Sequence, residues 1–128
     1  MRKLDRRKVI LSIQIFIVFI FILSIVVGIN LQEKFKQARN LVRLKHMETI
    51  MNAIYTYYIV NQKFPDCIPQ SGDPIEVEKC KEIESFLTSF PKDPSKNQKY
   101  FIEYVSENKN GIRIFSSSPE AKGIEIIR

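Results

Sequence analysis

The sequence has one histidine and two cysteines in 128 residues, no glycine-rich phosphate loop and no paired-acid motif. With no second histidine, there is no nucleophile and base to assign, so a non-enzymatic protein without a cofactor is expected. His46 reads as a solvated helix residue. A structural zinc site needs four ligands, and His46 lies far along the chain from Cys67 and Cys80, so zinc is not expected either. Two further absences organise the chain. No acid occurs between Lys8 and Glu33, and neither proline nor glycine occurs over residues 32–61.

The formal charge is +6, from 20 Lys+Arg against 14 Asp+Glu. Its excess is concentrated at the amino terminus, where Arg2, Lys3, Arg6, Arg7 and Lys8 face the single acid Asp5. The rest of the chain is close to neutral. It lacks the dense basic face that displaces counterions from a polyanion, so nucleic acid is not an expected partner.

Residues 9–29, VILSIQIFIVFIFILSIVVGI, carry no charge. As a helix they extend about 30 Å, the thickness of a bilayer's hydrocarbon core. Bases beside a first span are retained in the cytoplasm. The expected organisation is therefore a cytoplasmic basic tail (1–8), a transmembrane helix (9–29) and an exported part (30–128). Two other readings are a signal peptide cleaved after the small residues Val26 and Gly28, and a buried core helix. Against the first, the run is longer than a usual signal core and helix-compatible sequence continues past it. Against the second, the remaining residues cannot easily wrap a helix on all sides. At 100° per residue Gln14, Ser24 and Gly28 share an arc of roughly 80°, a candidate helix-packing face, while Ser12 points elsewhere. The alternative is that serine and glycine are simply common in spans.

The helix pattern runs on to Asn61. Phe35, Ala38, Leu41, Val42, Ile50, Ala53, Ile54, Tyr57 and Tyr58 form an apolar stripe, and Glu33, Lys34, Lys36, Arg39, Arg43, Lys45 and Glu48 form the opposite, solvated face. Gly28, Ile29 and Asn30 are the expected weak point, and Pro65 ends the helix. A second helix is expected from Asp73 as N-cap, with Pro74 in its first turn, Glu76 completing a capping box, and a stripe of Val77, Cys80, Ile83, Leu87 and Phe90. Alternating residues 99–105, a turn over residues 107–111, Ile112 to Phe115 and Ile124 to Ile127 predict three strands in an antiparallel meander. The apolar stripe of the long helix would cover one face of that sheet. The fold class is thus α+β.

The order of these parts resembles the type IV pilin and type II secretion pseudopilin family over nearly the whole chain. The resemblance rests on a basic amino terminus, an apolar helix continuing as an amphipathic one, and a tyrosine-rich helix end from Ala53 to Tyr58 leading to Phe64-Pro65. It also rests on Pro91-Lys92-Asp93-Pro94 before Tyr100 to Tyr104 and a small sheet. It implies a non-enzymatic filament subunit, with the amino-terminal helix packed against other pilin-like subunits and the head displayed outside. A membrane platform driven by a cytoplasmic ATPase would assemble it. Family precursors carry glycine or alanine before the apolar run and a glutamate a few residues into it. Here Lys8 and Gln14 stand instead, which points to a minor or accessory subunit or to a pilin-like head on an uncleaved anchor.

On the oxidising side of a membrane, Cys67 and Cys80 are expected to form a disulfide that staples a loop to the core. Two buried thiols are the alternative in a reducing compartment. Asp66, Asp73, Glu76 and Glu78 surround this loop at no recognisable calcium-binding spacing and read as solvated acids. Tyr55, Tyr57 and Tyr58 read as core and rim of the head.

Overall fold

The computed structural model describes residues 6–105 and 111–128. The expected turn over residues 107–111 therefore lies, except for Gly111, outside the described residues, as do Arg2 and Lys3. One helix, α1, runs from Arg6–Asn61 without interruption, and Gly28 leaves no break in it. The chain divides into two compact units, Met1–Lys36 and Gln37–Arg128.

The first unit is the apolar part of α1. It is long and apolar enough to cross a membrane, and none of its most apolar stretch is buried.

The second unit is α+β. A four-stranded antiparallel sheet in the order β1-β2-β3-β4 lies against the outer part of α1. The strands are β1 (Ile75–Glu76), β2 (Tyr100–Tyr104), β3 (Ile112–Ser116) and β4 (Glu125–Ile127). The last three form the expected meander. Register places Ile75, Ile102, Ile114 and Ile126 in one row across all four strands. Because side chains alternate along a strand, this isoleucine row faces α1 and leaves Glu76, Phe101, Phe115 and Glu125 in a row on the other face. Arg113 ties the outer face together, pairing with Glu103 at 2.8 Å and Glu125 at 2.5 Å and lying over the Phe115 ring.

The core joins Met47, Ile50, Met51, Ala53 and Ile54 of α1 to Ile102, Ile112 and Ile114 of the sheet and to Ile68, Val77, Cys80 and Ile83 of the connecting loop. The expected stripe is right from Ile50 to Tyr57, and wrong before it and at Tyr58, which is exposed. Phe35 and Leu41 are 61% and 68% exposed, Val42 is also exposed, and Arg43 is fully buried in their place. Arg43 is spaced four and seven residues from Met47 and Ile50, the spacing of a single helix face, so the helix turns it toward the sheet.

The second α-helix does not form. Residues 75–90 are instead the short strand β1 followed by two 3-10 turns, Val77–Lys79 and Lys81–Phe86. Ile75 and Glu76 take their backbone partners from Ile102 and Phe101. Cys80, between the two turns, has φ −84° and ψ 75°, which no helix can continue through. Asp73 is therefore no N-cap and accepts a hydrogen bond from Ser71, while Glu76 pairs with Lys99 at 2.7 Å. The stripe nevertheless points inward as expected, with Val77, Cys80 and Ile83 buried.

Helix α1 ends as Gln62 adopts φ 57° and its N–H returns to the Tyr58 carbonyl at 2.8 Å, a left-handed terminating residue without the usual glycine. Phe64 then packs on Tyr58, Tyr55 and Tyr104.

Candidate functional site

At the Arg39 to Arg43 end of the core, the residues linking α1 to the sheet are polar. Arg43 Nε donates to Asp93 Oδ2 at 3.0 Å, and Nη2 donates to Asp93 Oδ1 at 3.1 Å, a two-pronged pairing that matches guanidinium to carboxylate. Neither side chain is accessible to solvent. Nη2 also donates to Ser95 Oγ at 2.6 Å and Ser118 Oγ at 3.0 Å, and Nη1 donates to Asn40 Oδ1. Asp93 in turn accepts from the Ser95 N–H and from Ser116 Oγ. Two turns that are separate in sequence, at Asp93 and Ser95 and at Ser118 and Glu120, thus converge on one guanidinium.

A more exposed pair adjoins it. Arg39 grips Glu120 through Nε at 2.8 Å and Nη2 at 2.7 Å, and Asn40 donates to the Glu120 carbonyl. One turn further along the helix, His46 Nδ1 lies 3.0 Å from the Tyr100 hydroxyl. His46 is therefore half-buried and partnered, not the solvated residue expected. Burial opposes the charged form of Asp93, yet hydrogen bonds from Arg43, Ser116 and Ser95 outweigh it and hold the carboxyl below its ordinary range. The hydrogen bond from Arg39 lowers the Glu120 carboxyl against the cost of burial. Burial, with the Asp93 charge nearby, pushes the Tyr100 phenol well above its ordinary value.

This clasp is a set of satisfied charges, with no buried side-chain polar atom left unpartnered among the described residues. Asp93 belongs to the Pro-Lys-Asp-Pro segment noticed in the sequence. Arg43 was missed, and its common helix face with Met47, Ile50 and Ile54 was the signal that could have placed it.

Cys67 and Cys80 form a disulfide with their Cα atoms 5.2 Å apart. Glu82 lies beside the pair and accepts the Cys67 N–H at 3.1 Å. The two sulfurs and the Glu82 carboxylate lie within 4.8 Å of one another, but sulfurs bonded to each other offer no thiolate to a metal. Beside the staple, Phe64, Pro65, Ile68, Pro69 and Tyr104 line a groove of about 580 Å³, with the Lys63–Asp66 ion pair at its edge.

On the apolar part of α1, Gln14, Ser24 and Gly28 are exposed on the helix surface. The Ser24 and Ser12 hydroxyls donate to carbonyls one turn back, Phe21 and Val9, so neither needs an outside partner. A side chain added at Gly28 would meet nothing within 4 Å. Arg6, Arg7 and Lys8 occupy the exposed first turn.

No protein-family model, curated protein or solved structure matches this chain.

Proposed function

We propose that the protein is a membrane-anchored, pilin-like or pseudopilin-like structural subunit of a type IV pilus or type II secretion filament system, in a minor or accessory role. One observation carries this reading. A single unbroken helix, Arg6–Asn61, has an exposed apolar first part and an outer part buried under a small antiparallel sheet. Such a helix offers one half to lipid or to other helices while the other half is the spine of a folded head. The basic residues before the run orient the amino terminus to the cytoplasm and the head outside. Gln14, Ser24 and Gly28 form the face that packs against neighbouring pilin-like subunits, and the assembly platform in the membrane extracts the subunit by this helix. The protein acts by assembly, not catalysis.

Single cysteines placed along residues 9–30 should cross-link to pilin-like neighbours in sheared surface fractions. Recovery solely as a monomer in the membrane fraction would sink the proposal. A second reading, a non-polymerising anchored domain that holds a partner at the cell surface, is favoured by Lys8 and Gln14, which stand where a processed filament subunit has a small residue and a glutamate. Amino-terminal sequencing of the mature protein separates the two: a start at Met1 favours the anchor, and a start at Val9 favours the filament.

A further inference from the structure

The basic residues beyond the apolar run fall into two groups with different surroundings. Arg39 and Arg43 are engaged by Glu120 and Asp93. Lys34 and Lys36 are exposed and enter none of the ion pairs among the described residues. Between them Phe35 is 61% exposed.

Their position along the helix matches a membrane dimension. Lys8 and Lys34 are separated by about 39 Å at 1.5 Å of rise per residue. A bilayer measures roughly 40–45 Å once its headgroup regions are included. With the apolar run in the hydrocarbon, both lysines reach the phosphate level on opposite surfaces, and their flexible stems extend that reach.

Their position around the helix carries the second half of the inference. At 100° per residue Lys34 and Lys36 project about 200° apart, with Phe35 between them. A helix that docked one face on a protein would keep its charges to one side. Lysines on opposite sides at one level suit surroundings that are the same in every direction, which is what a lipid headgroup layer provides. Glu33 shares the level and leaves one net positive charge there.

Resting on the membrane-spanning reading above, we propose that Lys34 and Lys36, with Phe35 between them, form a collar whose two ammonium groups bind the phosphates of anionic phospholipids on the surface opposite the basic tail. The collar fixes the depth of the helix. Positive-inside topology does not require it, because these bases lie on the far side of the span.

The chain has no tryptophan, so a single one reports its own surroundings. The full-length Phe35→Trp protein is placed in phosphatidylcholine vesicles carrying a small fraction of brominated phosphatidylglycerol or, separately, of brominated phosphatidylcholine. Tryptophan at position 35 should be quenched more by the anionic quencher. Lys34→Gln with Lys36→Gln should remove that preference, by about fivefold in local enrichment for each lysine. Ile20→Trp, near the middle of the apolar run, should be quenched equally by both lipids. If position 20 is quenched while position 35 is untouched, or is quenched equally by both lipids, the collar is wrong and the span stands. A position 35 shielded from every lipid with a blue-shifted emission would assign this level to a protein contact and overturn the proposal. If position 20 escapes quenching, the span itself fails and the collar with it.

Discussion

Arg43 on the long helix and Asp93 in the proline-flanked turn meet at 3.0 Å with both side chains closed to solvent. The two are fifty residues apart in sequence, and their pairing fastens the sheet to α1 one turn before the apolar core begins at Met47. Breaking a buried pair by removing one partner leaves an uncompensated charge, which typically costs about 3–5 kcal/mol. The two partners are not equivalent here. Without Asp93, Arg43 still has the Glu120 carboxylate at 3.5 Å, Ser95, Ser118 and Asn40. Without Arg43, Asp93 keeps only neutral donors. Arg43→Met should therefore destabilise the protein more than Asp93→Asn. Denaturant titration of the detergent-solubilised chain, run as a double-mutant cycle, should return a coupling of about 1–3 kcal/mol. Equal losses, or no coupling, would remove the pair from any role in holding the head.

Acid should loosen the same region. Asp93 and Glu120 are held below their ordinary values of 3.8 and 4.5 in the folded protein. A carboxyl whose folded pKa is depressed contributes stability that is complete above its unfolded pKa and disappears as pH falls through the folded one. Stability should thus be flat from neutral pH to about 5 and decline below about 4. The decline should be shallower in Asp93→Asn, which has one such group fewer. Thermal melts across this range test it, and an unchanged acid slope in the variant would contradict the assignment.

Position along the chain explains what the sequence disclosed. The long helix, its end at Asn61, three of the four strands and their antiparallel order follow from local patterns of period 3.6 or 2. The fourth strand was hidden because Asp73-Pro74-Ile75-Glu76 satisfies every local rule for a helix start, while its actual partners, Phe101 and Ile102, lie far away in sequence. Arg43 was hidden for a related reason. A charge is assigned to the wet face unless its counter-charge is in view, and Asp93 comes into view only when the chain has folded. The cysteine pair was legible because a compartment argument, not a contact, predicted it.

The Cys67–Cys80 disulfide closes a loop with a sequence separation of 13, and β1 lies inside it. In the chain-entropy model such a closure contributes about 3 kcal/mol. Cys67→Ser with Cys80→Ser should lower the unfolding free energy by about that amount. It should also increase amide exchange at Ile75 and Glu76, a two-residue edge strand inside the closed loop. The unreduced native protein should take up no alkylating agent. Labelling of both thiols without reductant would mean that the pair is open.

The face of α1 that meets the sheet can be tested by paired alanine substitutions. Met47 is fully buried against the isoleucine row, whereas Leu41 is 68% exposed even though the sequence pattern places it in the stripe. Truncating a buried methionine removes its transfer energy and leaves a cavity, a loss of about 2–5 kcal/mol. An exposed leucine has little to lose, and Leu41→Ala should stay within about 0.5 kcal/mol of the parent. The same variant has a second use. If the protein assembles through its long helix, an exposed leucine beyond the apolar run is surface available to a neighbouring subunit. Leu41→Ala would then weaken cross-linking between subunits while leaving the melting of the isolated chain unchanged. A Leu41→Ala loss as large as that of Met47→Ala in the isolated chain would show that the helix is turned differently against its sheet.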